Sequence, residues 1–140
     1  ANHLYYWGDF HYSQTVGPAR AQGFSPLATA LRLGVPVSTH SDTPVSPIDP
    51  LFSAWCAANR VTSSGRVLGA NERLGVLDAL KLVTINAAWL LHRDHEIGSI
   101  QVGKRADFTV LGADPLAIAA EELKDVPLLG TVLGGQPVVL

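Results

Sequence analysis

The ten residues VPVSTHSDTP, from Val35 to Pro44, constrain this chain more than any other stretch. Apolar and β-branched residues run from Val35 to Thr39, and Gly34 stands before them as the end of a preceding helix. The pattern predicts a short buried strand over residues 35–40. His40, Ser41 and Asp42 then arrive together, and Thr43-Pro44 stops the strand, because proline fixes φ and brings no N–H to a ladder. In parallel α/β sheets and barrels, chemistry gathers just past the carboxyl ends of strands. A histidine and a carboxylate at such a point make a candidate catalytic site. On these residues alone, a capping aspartate beside a hydrogen-bonded strand-end histidine is an equally weighted alternative.

The flanking segments predict helices and strands in turn. Residues 20–33 hold a short helix with Ser25 as N-cap and Pro26 at its first position, and Leu27, Ala30 and Leu31 share one face. Asp49-Pro50 repeats that signature and opens a helix carrying Leu51, Phe52, Trp55, Ala58 and Asn59 inward as far as about Val61. Residues 62–70 form a loop. A further helical stretch opens at Asn71 and turns Val76, Leu77, Leu80 and Val83 to one side. Asn86 then caps a short helix reaching Leu91. From Ile97 the composition shifts to β, with strands predicted over residues 98–104 and 106–111. A hairpin follows at Thr131-Val132-Leu133 and Gln136 to Leu140, turning at Gly134-Gly135, with Pro137 placing its last strand at an edge. These strands are too few to close a sandwich, so partner strands must come from elsewhere.

The first twelve residues mix aromatic and polar side chains, as either a hydrophobic anchor or a pocket wall does. Trp7 and Asp9 are the candidate substrate contacts there. His3 and His11 stand eight residues apart with no closely spaced partner, and read as solvated or structural. His92 and His95 have a spacing that could serve a metal, but in a charged, exposed run the solvated reading is favoured.

Composition excludes several classes. A formal net charge of -2 leaves no basic footprint for nucleic acid. No apolar run approaches the roughly 20 residues of a membrane helix. Cys56, the one cysteine, excludes an intrachain disulfide and reads as a core thiol; it leaves the compartment open, with the cytoplasm leaned towards. Only 16% of residues are charged, against about 25% in ordinary domains. Some of this surface is therefore expected to lie against something else. The N-terminus has no initiator Met and no signal-peptide layout, so the chain is expected to be a piece of a longer one.

Three blocks, in this order, carry a resemblance to the metal-dependent amidohydrolase superfamily, in particular its N-substituted formamide deformylase-like branch. His40-Ser41-Asp42-Thr43-Pro44-Val45, with Asp49-Pro50-Leu51 behind it, resembles the end of that family's eighth barrel strand. The run from Ala79 to Ala88, ALKLVTINAA, is similar to the helix after the barrel closes. The run from Gly98 to Leu111, GSIQVGKRADFTVL, followed by Asp114-Pro115, resembles the return to a small β-sandwich. Trp7-Gly8-Asp9 and Gly17-Pro18-Ala19-Arg20 are similar to the connection after strand seven. The resemblance implies an α/β fold: residues 1–92 would be the last one or two β/α units of a TIM barrel, and residues 93–140 the C-terminal strands of the β-sandwich.

It also implies a divalent metal, with zinc the expected ion, that activates water against an amide or related C–N bond. Asp42 would bind the metal and act as general base, and His40 would contact substrate or orient its neighbours. The family's other metal ligands have no counterpart here and would lie upstream of Ala1. A TIM barrel takes about 250 residues, so the expected partners are a small-molecule substrate and the remainder of the barrel, upstream or on a second polypeptide. A homo-oligomer also stays open. The non-enzymatic alternative is a regulatory or interaction module built from the same C-terminal region.

Overall fold

The computed structural model describes residues 1–138. The last two residues of the expected final strand, Val139 and Leu140, lie outside the described residues. Six α-helices and a three-stranded sheet follow in the order α1 (Asn2–Phe10), a π-helical turn (His11–Thr15), α2 (Gly17–Ala21), α3 (Leu27–Arg32), α4 (Pro50–Asn59), α5 (Val76–Leu82), α6 (Ile85–Leu90), β1 (Phe108–Leu111), β2 (Leu128–Leu133) and β3 (Gln136–Val138). Short 3-10 turns occupy Ala70–Glu72 and Ala120–Asp125.

Helix α4 is the centre of the core, and its start is chemically dictated. The Asp49 carboxylate accepts from the Phe52 N–H at 2.9 Å, and Pro50 takes the first position, where no N–H is needed. Every residue from Ser53 to Asn59 is buried. A helix buried on all sides carries no narrow apolar stripe, so inward positions such as Ala54 and Ala57 escape a one-face reading. Leu27, Ala79, Leu82 and Leu123 close around it. Two side chains of α4 tie it to the 3-10 turn at Ala120–Asp125: Trp55 Nε1 donates to the Glu121 carbonyl (2.8 Å) and Asn59 Nδ2 to that of Ala120 (2.9 Å). Cys56 is a core thiol, 2% exposed, and burial pushes its pKa up to about 12.

Arg60 ends α4 in the left-handed region (φ 55°) and is itself 1% exposed. Its guanidinium donates to the carbonyls of Leu68 (2.7 Å), Ser25 (2.8 Å) and Phe24. A buried cation is tolerated only when its donors are matched, and here one planar fork joins the ends of three segments.

Several sequence expectations shift. The stretch 35–40 belongs to no strand and none of it is buried, because a strand is defined by its ladder and no neighbouring strand lies beside it among the described residues. Residues 98–104 are likewise loop, with Ile100 and Val102 fully in solvent. Helix α3 begins at Leu27, one residue late, since Ser25 sits at φ 45° and Pro26 holds the cap position. Gly17-Pro18 opens α2. In α5 the buried residues are Ala79 and Leu82, while Leu77 faces solvent. Asn86 does not cap α6; it lies inside it, and its amide reaches out of the helix. The hairpin at Gly134-Gly135 stands, with β1-β2-β3 antiparallel and Pro137 on edge strand β3.

Candidate active site

The 35–42 segment is positioned by contacts from α5 and α6. Asn86 Nδ2 donates to the Val37 carbonyl (3.0 Å), and the Thr39 N–H reaches the Leu82 carbonyl (3.4 Å). Past Thr39 the chain turns out to solvent. Asp42 takes φ 62°, a left-handed conformation that L-residues adopt sparingly and that clusters at functional sites. Its N–H donates to His40 Nδ1 at 3.0 Å, so a neutral His40 carries its proton on Nε2. The Thr43 hydroxyl bonds Ser41 Oγ (2.7 Å) and the Ser46 carbonyl (3.2 Å), and Ser46 Oγ donates to the Ser41 carbonyl. The turn is thus held by its own polar groups. The Asp42 carboxylate is exposed and takes no hydrogen bond among the described residues.

The aromatic N-terminus divides into two parts. Tyr5 packs edge-on against Phe52 (5.1 Å) and Trp55 (5.9 Å), anchoring α1 to α4. Trp7, half-buried, instead stacks on His3 at 5.1 Å. Asp9 has both oxygens engaged: Oδ1 accepts from Arg66 Nε (3.1 Å) and Oδ2 from the Ser64 N–H (3.3 Å). Burial pushes its carboxyl up, but the hydrogen bonds from Thr62, Ser64 and Arg66 outweigh that and hold it below the usual range. Arg66 in turn lies over the Tyr12 ring at 4.0 Å. In this structure Asp9 holds the 62–66 turn.

His3 and His11 come together, which their spacing did not signal. Their Nε2 atoms lie 2.7 Å apart and their rings stack at 4.9 Å. Eight residues span about 12 Å of α-helix, beyond the usual ligand spacings of three or four. Asp42 is close enough to favour the charged form of His3, against burial and His11, which together lower its pKa. Among the described residues no group of three or more His, Cys, Asp or Glu is placed to hold a metal. A surface groove of about 730 Å³ lies between Lys81, Thr84, His95 and Lys104, and is lined by none of Trp7, Asp9, His40 and Asp42.

Comparison with known proteins assigns the family. The model for the amidohydrolase family matches residues 1–139. This chain belongs to the amidohydrolase family. Its relatives include the N-substituted formamide deformylase of Arthrobacter pascens, 38% identical over 110 residues, which cover 79% of this chain and 20% of the relative. The amidohydrolase relative YtcJ of Bacillus subtilis (strain 168) is 35% identical over 111 residues, covering 77% of this chain and 21% of YtcJ. A 5-methylthioadenosine/S-adenosylhomocysteine deaminase of Thermoanaerobacter pseudethanolicus is 33% identical over 104 residues, 74% of this chain and 24% of the deaminase. The chain thus spans about a fifth to a quarter of the length of these curated relatives. No solved structure matches it significantly. No helix among the described residues is long and apolar enough to cross a membrane.

Proposed function

We propose that this chain is the C-terminal portion of a metal-dependent hydrolase acting on C–N bonds other than peptide bonds, of amide, formamide or cyclic amide type. In this reading residues 1–92 finish a (β/α)8 barrel, and residues 93–140 contribute strands to a small sandwich. The observation that carries the reading is Asp42, an unengaged, solvent-facing carboxylate at a left-handed backbone position, in a chain of amidohydrolase sequence.

The surface supports a larger whole. A compact monomer of 14.8 kDa exposes about 7,000 Å², whereas this one exposes 8274 Å². Large apolar side chains share in that exposure, among them Leu33 at 72% and Ile48 at 78%. Thr39 Oγ1 is buried with no hydrogen-bond partner among the described residues, three residues before Asp42, as expected where an adjoining strand supplies one.

Asp42 suits a divalent cation, since its oxygens are free and a carboxylate is a ligand for zinc and harder ions alike. It is one ligand where catalytic zinc uses about three, so in this reading the others lie outside the chain. A divalent metal there, zinc in this reading, supplies Lewis acidity and lowers the pKa of water. Asp42 accepts the proton of the attacking water and passes it to the leaving nitrogen, which departs as an amine or ammonia. His40, with Nδ1 occupied by the Asp42 N–H, offers Nε2–H to a substrate oxygen. Trp7 contributes apolar wall, and Asp9 shapes that wall by fixing the 62–66 turn.

The test is hydrolysis by the intact protein of a panel of N-substituted formamides, linear amides and cyclic amides, following release of acid and amine. Release is expected from at least one class, lost on dialysis against a chelator and restored by zinc or another divalent ion. Turnover insensitive to chelation, or none in any class, contradicts the reading.

A further inference from the structure

The backbone N–H groups from Gly98 to Gly103 donate to no backbone carbonyl among the described residues. Gly98 and Gly103 bracket this run in the left-handed region, at φ 87° and 93°. Successive N–H groups in such turns form concavities that hold anions. The groove of about 730 Å³ is lined by this loop and by Lys81 and Lys104.

Both lysines keep donors to spare. Lys104, half-buried, is tethered to Ser99 Oγ (2.7 Å) and the Ile97 carbonyl (3.4 Å), which leaves one of its three N–H groups. Because Ser99 Oγ accepts that bond, its own hydroxyl hydrogen remains a donor. Lys81 gives one N–H to Asp78 (3.1 Å) and keeps two. An ammonium binds phosphate as a point charge, and two of them match a dianion. The groove meets a smaller one, about 310 Å³, at Ile85 and Asp94. Pro36 and Trp89 wall that second groove, and Trp89 is 45% exposed. Asp94 is the one carboxylate lining either groove, and it stands where the two meet, so an anion is favoured at the lysines and not at the junction. An apolar wall beside a few convergent polar groups is the usual make-up of a small-molecule site.

We propose that these joined grooves bind a phosphate monoester. Its phosphate lies on Lys81, Lys104 and the N–H groups of the 98–103 loop, and its apolar ester group lies against Pro36 and Trp89. The inference makes no use of Asp42 or of the proposed hydrolysis.

Calorimetric titration of the intact protein with phenyl phosphate tests it, at low salt and about pH 8, where the ester is a dianion. Saturable binding is expected, tighter than that of inorganic phosphate or of benzoate. Lys81→Gln and Lys104→Gln should each weaken it about tenfold or more, and Lys124→Gln should leave it unchanged. Trp89→Ala should remove the advantage of phenyl phosphate over inorganic phosphate. Because Lys104→Gln could release the loop, the unaltered protein is also acetylated with and without phenyl phosphate. Protection of Lys81 and Lys104, but not of Lys124, in the peptide map supports the site. No saturable binding, equal affinity for the three ligands, binding unchanged by both lysine variants, or equal acetylation with and without phenyl phosphate overturns it.

Discussion

At the scale of single residues, Arg60 shows how much of the fold rests on one side chain. Its guanidinium satisfies the carbonyls of Phe24, Ser25 and Leu68 from a fully buried position. Arg60→Ala strands those acceptors and opens a void, so a loss of about 3 kcal/mol or more is expected in urea unfolding. Arg60→Lys should recover only part of it, because an ammonium lacks the planar fork. Asp42 is the opposite kind of residue: exposed, at φ 62°, and without a partner for its carboxylate among the described residues, it contributes little to packing. The structural role of Arg60 was not legible in the sequence. Asp42 drew notice only by standing after an apolar run, whereas a buried arginine in Ala-Asn-Arg-Val looks like any helix-end cation.

At the scale of elements, α3 is fastened to the 3-10 turn at Ala70–Glu72 through Glu72. One of its carboxylate oxygens accepts the Thr29 N–H (2.8 Å) and the other the Thr29 hydroxyl. These hydrogen bonds, with the nearby charges of Arg60 and Arg32, hold the Glu72 carboxyl below its ordinary range. A lowered folded-state pKa means the contact stabilises fully above the unfolded value, about 4.3, and is lost as pH falls through the lower folded value. Glu72→Gln should therefore flatten the acid limb of the stability curve between about pH 5 and 3, measured by denaturant midpoints, and leave its shape at pH 7 to 8 unchanged. A Glu72→Gln protein with the same acid limb as the unaltered one contradicts this assignment. Elements with local signatures were legible: Asp49-Pro50 started α4, Gly34 stopped the segment after α3, and Gly134-Gly135 turned the hairpin. Elements that need a distant partner were not. Residues 35–40 and 98–104 carry strand composition, but composition cannot supply the neighbouring strand that a ladder requires. The 2.6 Å approach that a Cβ on Gly98 would make to Ala88 Cβ places the second of these segments tightly over α6, which is packing of a kind no periodicity reports.

At the scale of the whole molecule, the low charge content and the excess of exposed surface are the features that support the proposed larger whole. The resemblance read from His40-Ser41-Asp42, from Ala79 to Ala88 and from Gly98 to Leu111 agrees with the family match across residues 1–139. The His3–His11 contact was invisible at this scale and below it, since an eight-residue separation matches no ligand pattern and only the π-turn brings the rings together. The central claim is that Asp42 moves the proton in hydrolysis. It is tested most directly by kcat for Asp42→Asn in the intact protein, measured on whichever C–N substrate the unaltered enzyme turns over. A fall of about 10²- to 10⁴-fold is expected with circular dichroism and unfolding midpoint unchanged, because the exposed side chain supports no packing. An Asp42→Asn enzyme that turns over at the unaltered rate would contradict it.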